Sequence, residues 1–217
     1  INHAKKLGAK LIVLEVLDIN EPAYELYRSL DFVHYDSLTR QKLDFGKLSD
    51  IPSIALPEGY ELREFTRDKK TNQARYELDM RVTPEDVQVF HPIDRKRYFK
   101  PLIIRMVRPI AILLLKLKRF DWLIYQRENL VGDVSVYPSR KEGSPHRINL
   151  MLDPARSDIL SEPMISHCLV TLRNNSTVEE NTIVEFRTSA TKQLETTRKY
   201  DFVDVETMHL LGLKIEE

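Results

Sequence analysis

The 217 residues, at 25.5 kDa, are enough for one large domain or two small ones. Lysine plus arginine and aspartate plus glutamate each number 33, so no overall field selects DNA, anionic lipid or an acidic substrate, and no basic-aromatic platform points to nucleic acid. The single cysteine excludes an intrachain disulfide framework and fits a reducing compartment, which makes a cytoplasmic location the expectation.

Residues 1–9 read as the end of a helix, with Ala4, Leu7 and a terminating Gly8 suitably placed. Leu11 to Val16 is an apolar, β-branched run of strand length. Glu21 to Leu30 carries Ala23, Tyr24, Leu26, Tyr27 and Leu30 at helical spacing, with Asn20 as cap and Pro22 in the first turn. Phe32 to Tyr35 and Leu38 to Phe45 then read as two strands joined around Asp36 and Ser37. Gly46 to Gly59, with Pro52 and Pro57, reads as a linker, after which Tyr60 opens an alternating strand, YELREF. Asp68 to Val82 is mixed and mostly charged. Thr83-Pro84-Glu85-Asp86 then predicts a capped helix running to Pro92, and another helix is expected from about Asp94, with breaks at Pro101 and Pro109.

Pro101 to Phe120 is the most hydrophobic stretch. Its uninterrupted core, Ile110 to Leu115, is too short to span a bilayer. A helix packed on a sheet is the expected role; the basic residues Arg105, Arg108, Lys116, Lys118 and Arg119 leave a membrane-surface helix or an oligomer contact as alternatives. Asp121 to Tyr137 reads as a hairpin turning between Gln126 and Asn129, with Gly132 marking a bulge or a close backbone approach. Arg147 to Asp153 is the next strand. Glu162 to Arg173 predicts a helix with Pro163 in its first turn and an inner stripe of Met164, Ile165, Cys168, Leu169 and Leu172. His167 and Cys168 are adjacent on that helix and cannot converge on one ligand, so core packing is their expected role. His91, His146 and His209 have no metal-site spacing, and no nucleophile-elbow motif is present.

Placing Phe202 under Phe32 aligns the chain with itself at an offset of 170 residues. Val184-Glu185-Phe186 then falls on Leu14-Glu15-Val16, Tyr200-Asp201-Phe202 on Leu30-Asp31-Phe32, and Asp204 to Leu213 on His34 to Leu43. The element order repeats although the identities do not.

Leu14-Glu15-Val16, Asn20, Ala23, Tyr27 and Leu30-Asp31-Phe32 together resemble the C-terminal half of a GCN5-related N-acetyltransferase (GNAT) domain, with Asp31 in place of the corner glycine. The resemblance implies a mixed-sheet α/β fold of the acyl-CoA N-acyltransferase kind, in one partial copy (1–45), a linker (46–58) and one complete copy (59–217). It implies acetyl-CoA as cofactor and a small-molecule or peptide amine as acceptor. Asn20 would then lie near the cofactor, and Tyr27 would protonate the departing coenzyme A thiolate, unless it only packs its helix. Glu15, and less so Glu185, are candidates for the base. The hairpin resembles the second and third strands of the family, and Arg147 to Asp153 its central strand.

In this family the pyrophosphate loop follows the central strand, an Arg or Gln and then glycines that let backbone N–H groups approach the phosphates. The matching stretch is Arg156-Ser157-Asp158-Ile159-Leu160-Ser161. Arg156 and Ser157 remain as contacts, Ile159 and Ser161 replace the glycines, and Asp158 and Glu162 bring opposing charge. Ala190 and Thr197 stand where Asn20 and Tyr27 stand in the first unit. The expectation is a tandem acetyltransferase whose second domain has lost its chemistry, the first being truncated here, so that binding of acetyl-CoA by this chain is doubtful. A half-domain at 1–45 should be completed by a missing N-terminal segment or another chain, including a homodimer partner. A noncatalytic GNAT-fold binding module, or an unrelated α/β domain, are the other readings.

Overall fold

A computed structural model of the chain describes residues 1–48, 51–99 and 118–215. The predicted helix over Pro101 to Phe120 lies almost wholly outside them. The described residues build one eight-stranded sheet in the order β1-β8-β2-β7-β6-β5-β4-β3. Its strands are β1 (Leu11–Leu17), β2 (Val33–Leu43), β3 (Tyr60–Glu64), β4 (Phe120–Gln126), β5 (Asn129–Tyr137), β6 (His146–Leu152), β7 (Thr182–Arg187) and β8 (Val203–Lys214). The helices are α1 (Asn2–Lys6), α2 (Glu21–Ser29), α3 (Lys69–Val82), α4 (Glu85–Phe90), α5 (Ser157–Asn175) and α6 (Thr191–Lys199). Every neighbouring pair is antiparallel except β6 and β7.

The repeat is present in the backbone. Helices α2 and α6 begin and end at residues 170 apart, as do the starts of β2 and β8, and α1 falls on the last turn of α5. Each repeated helix ends in an aspartate with a left-handed backbone, Asp31 at φ 65° and Asp201 at φ 64°. The next residue's N–H turns back onto the helix, Phe32 to the Tyr27 carbonyl at 3.1 Å and Phe202 to that of Thr197 at 3.2 Å. Aspartate tolerates this conformation better than most residues. The two units do not form separate sheets: β8 lies between β1 and β2, while β2 lies between β8 and β7. Each unit pairs with a strand of the other.

Helix α5 covers the main core, burying Leu160, Met164, Ile165, Cys168, Leu169 and Leu172 against Ile124, Val134, Val136, Ile148 and Val184. The linker is strapped to this helix: Ser166 Oγ donates to the Pro52 carbonyl at 2.5 Å and accepts from Ile54 N–H at 3.1 Å. A smaller cluster of Val16, Phe32 and Leu211 seats α2.

Some boundaries and caps differ from expectation. β2 is one strand with an irregularity between His34 and Asp36, because pairing to β8 continues on both sides of it. Helix α5 starts five residues earlier than Glu162, so Pro163 sits in its interior. Thr83 does not cap α4; its hydroxyl turns to Asp79 at 3.2 Å. The charged stretch 69–82 is α3, capped by Asp68, whose Oδ1 accepts from Thr71 N–H at 2.7 Å and whose carboxyl is held well below its usual range by the Thr71 hydroxyl, the Thr66 hydroxyl and that N–H. From Asp94 the described residues form a 3-10 turn, Arg95–Arg97, and the rest of the helix expected there lies outside them.

Candidate functional site

β6 and β7 pair over only three residues, from His146↔Thr182 to Ile148↔Val184, and then diverge. The gap opens into a cavity of about 320 Å³ lined by Leu150, Leu152, Phe186, Ser157 and the 189–193 turn. A second, polar cavity of about 350 Å³ adjoins it, lined by Asp133, Ser135, Tyr137, Asn149 and Arg119 among others. Arg97, Leu150, Met151 and Glu185 line both. This is the topological switch at which an open sheet offers a crevice beyond its strand ends.

Glu185 stands at the point of divergence, half-exposed, and is held by Arg40 of β2 at 3.0 Å. Arg40 also pairs with Glu206 of β8. The carboxylate is thereby oriented, with the guanidinium competing for its lone pairs.

The residues expected to cradle a pyrophosphate do not fit one. Helix α5 begins at Ser157, so Ser157, Ile159 and Ser161 are helical and no glycine loop precedes them. Ser161 is fully buried with its hydroxyl spent on the Ser157 carbonyl at 2.6 Å. Ser157 in turn donates to the Pro154 carbonyl at 3.0 Å. Ile159 offers an exposed apolar side chain, and Arg156 leans over Gln126 at 3.2 Å. Side chains occupy the approach that bare backbone would have to offer, and exposed Asp158 adds a like charge.

Asn20, Tyr27 and Glu15 lie elsewhere. β1 is three strands from β7, about 14 Å at ordinary strand spacing. Asn20 Oδ1 accepts from Ala23 N–H at 3.2 Å, which makes it the cap of α2. Tyr27 is half-buried with its ring edge-on to Phe32 at 5.5 Å, and its hydroxyl has no hydrogen bond among the described residues. Glu15 is exposed on the opposite face of β1 from Val16, which packs under α2. The two candidate sets therefore occupy two sites.

In the second unit the position of Tyr27 belongs to Thr197, which is fully buried. Its hydroxyl is enclosed by the Gln193 and Leu194 carbonyls, each at 2.9 Å, and by Gln41 Oε1. Thr197 is not among the residues that line the cleft. Ala190 begins α6 without a side-chain cap.

Sequence reading did not single out the charged core of the polar cavity. Asp133 and Arg75 form an ion pair at 2.6 Å, with side-chain exposures of 11% and 18%. Burial raises the Asp133 carboxyl above its ordinary range, although Arg75 pulls the other way. Tyr98 donates to Asp79 at 2.6 Å, and burial together with that bond pushes the phenol far up. The available signal was an acidic residue within the apolar run 130–136. Cys168 is fully buried, which raises its thiol well beyond the reactive range.

This sheet, with its diverging parallel pair and flanking helices, has the GNAT fold. The tandem GNAT protein from the clavulanic acid biosynthesis pathway matches it with TM-score 0.63 and 13% identity, over 100% of this chain and 67% of that one. A GCN5-related N-acetyltransferase from Sphaerobacter thermophilus matches with TM-score 0.58 and 12% identity, over 99% of this chain and 64% of that one. One from Kribbella flavida matches with TM-score 0.53 and 9% identity, over 100% and 72%. At such identities the likeness is one of fold, and this chain spans about two thirds of the length of these proteins. No protein-family model and no curated protein sequence matches it. Among the described residues no helix is long and apolar enough to cross a membrane.

Proposed function

We propose that the chain is part of a tandem N-acetyltransferase that moves acetyl from acetyl-CoA to a small-molecule or peptide amine, and that the unit at 59–217 is its noncatalytic half. The contrast between Tyr27 and Thr197 carries this reading. At one repeat position stands a phenol whose hydroxyl makes no hydrogen bond among the described residues; at the other stands a buried threonine whose hydroxyl is engaged by its own helix and which does not line the cleft. The filled approach at Arg156 to Ser161 supports the same conclusion, so no acyl-transfer step is assigned to the cleft between β6 and β7.

The first unit would hold the chemistry, with Tyr27 as proton donor, Glu15 as a candidate base and Asn20 at the helix start. Completion of that unit needs a further parallel strand on the outer edge of β1. β7 has β6 in that place, and its Thr182 and Val184 are buried at 0% and 2%, whereas the equivalent Ile12 and Leu14 remain partly exposed. A preceding segment of the same polypeptide is the proposed occupant, and a second copy of the chain is the competing one.

Calorimetry with acetyl-CoA tests the assignment, using this chain and any longer gene product that contains it, together with thiol release in the presence of amine acceptors. Binding and turnover confined to the longer product, lost in Tyr27→Phe, are expected. Tight binding by this chain that disappears in Arg156→Ala would overturn the noncatalytic assignment. A noncatalytic binding module is the second reading, favoured by the polar cavity around Asp133; it predicts no thiol release from either protein.

A further inference from the structure

Four side chains form a directed hydrogen-bond chain where α2 meets β2 and β8. His34 Nε2 lies 2.7 Å from the Asp36 carbonyl and 2.8 Å from Ser37 Oγ. A carbonyl only accepts, so neutral His34 carries its proton on Nε2, and its Nδ1 accepts from Tyr24 O–H at 3.3 Å. Ser37 Oγ accepts the His34 N–H and is placed to donate its own hydrogen to His209 Nδ1 at 2.9 Å, an arrangement that puts the His209 proton on Nε2. The rings are in contact as well: His34 and His209 centroids are 4.9 Å apart, and Tyr24 lies 5.1 Å from His209.

We propose that Tyr24, His34, Ser37 and His209 form a proton-sensitive clasp that holds α2 to β2 and β8 while both imidazoles are neutral and loosens it once they are protonated. A proton added at His34 Nδ1 meets the Tyr24 hydrogen, and one added at His209 Nδ1 meets the Ser37 hydrogen. Either reverses a donor. A second proton leaves two imidazolium rings in contact.

The surroundings set the threshold. Burial lowers both imidazoles below their ordinary value; Arg28 of α2 adds to this at His34, and His34 adds to it at His209. Asp18, in the turn before α2, opposes the shift at His209, and Glu21 and Glu25 of α2 line the same hollow. The Asp36 carboxylate of β2 is turned away to Arg187, and Glu15 lies on the other face of β1. His34 is exposed, so the proton reaches the clasp without global unfolding.

The repeat supplies an internal control. At α6 the positions of Tyr24, His34, Ser37 and His209 are taken by Leu194, Asp204, Thr207 and Thr39, none of which changes charge between pH 5 and 8. The clasp does not depend on the acetyltransferase reading. It is tested by amide hydrogen exchange of the 217-residue chain between pH 8 and 5, corrected for intrinsic rates and expressed as the ratio of α2 to α6 opening. The ratio is expected to rise below about pH 6.5, by up to roughly tenfold per pH unit for each proton taken up. In the double variant His34→Gln with His209→Gln it should be flat even if α2 opens more throughout. A flat ratio in the unmodified chain, or a persistent rise in the double variant, overturns the proposal. Imidazole ¹⁵N shifts at pH 8 offer a check without substitution: both rings should be Nε2–H tautomers, and an Nδ1–H tautomer at either ring contradicts the directed chain.

Discussion

Replacing Arg75 by methionine keeps much of the aliphatic stem but removes both N–H groups that reach Asp133 Oδ2, Nε at 2.7 Å and Nη2 at 2.6 Å. It also removes the guanidinium lying over Phe65 at 4.7 Å. With 11% of the Asp133 side chain exposed, water entering the polar cavity replaces the lost partner only in part. Breaking a buried pair of this kind costs about 3–5 kcal/mol, against about 0–1 for an exposed pair. That is a large part of the roughly 5–15 kcal/mol that keeps a domain folded. For a urea slope of about 2 kcal/mol/M the midpoint should fall by about 1.5–2.5 M with the slope unchanged. The loss should also depend on pH. Without Arg75 the folded-state carboxyl rises further above its unfolded value, so the folded form binds a proton more readily than the unfolded form; stability is then greatest at low pH and declines as pH rises through the folded value. The deficit is therefore smaller at pH 5 than at pH 7. Combining Arg75→Met with Asp133→Leu should restore stability to within about 1 kcal/mol of the unmodified chain. A midpoint shift under about 0.5 M, or a deficit equal at both pH values, would refute this account of the cavity.

The repeat predicts opposite effects at its two helix starts: Asn20→Ala should lower stability by about 1 kcal/mol and Ala190→Asn should raise it by a similar amount, read as melting-temperature changes of about 2–4 °C. Equal signs for the two would contradict the equivalence of α2 and α6. Gly212 faces the Phe90 ring, which stacks on Tyr35 at 4.9 Å; Gly212→Ala should displace α4 and cost about 1–3 kcal/mol, with faster amide exchange in α4 as the local signature. Undiminished protection there would show that Phe90 is not its anchor. Cys168 should resist a thiol-specific reagent in the native chain and react fully in denaturant; native labelling would place α5 away from the sheet.

Local chemistry made some elements legible. The β4–β5 hairpin follows from its alternation, and Gly132 has both features expected of it. The register slips beside it at Ile124/Tyr125, and a methyl there would overlap Ile124 and approach Leu152 at 2.9 Å. The inner stripe of α5 was visible because burial repeats at helical spacing. The start of α5 was not, because Pro163 suggests a first turn while the real start depends on a turn at Asp153, which accepts from Ala155 N–H at 3.1 Å. Helix α3 was hidden by its charge, since few of its residues are buried and its cap is an aspartate within a charged run. The candidate residues Asn20, Tyr27 and Glu15 were found only through spacing and resemblance. Asp133 and Arg75 are 58 positions apart, and only the sheet makes them neighbours; so too with Ser37 and His209.

The interleaving of β1, β8, β2 and β7 ties the start of the chain to its end. β2 is flanked on both sides by strands that follow it by well over a hundred residues. On a ribosome adding about 5–20 residues per second, the 170-residue lag between β2 and β8 is an interval of about 10–35 s. Through most of it, until β7 emerges to pair with β2, the amphipathic α2 and the edges of β1 and β2 have none of their later native strands to bind. Newly made chains should therefore carry sticky strands until β8 emerges, and truncation inside β8 should be far more harmful to solubility than the loss of so short a segment suggests.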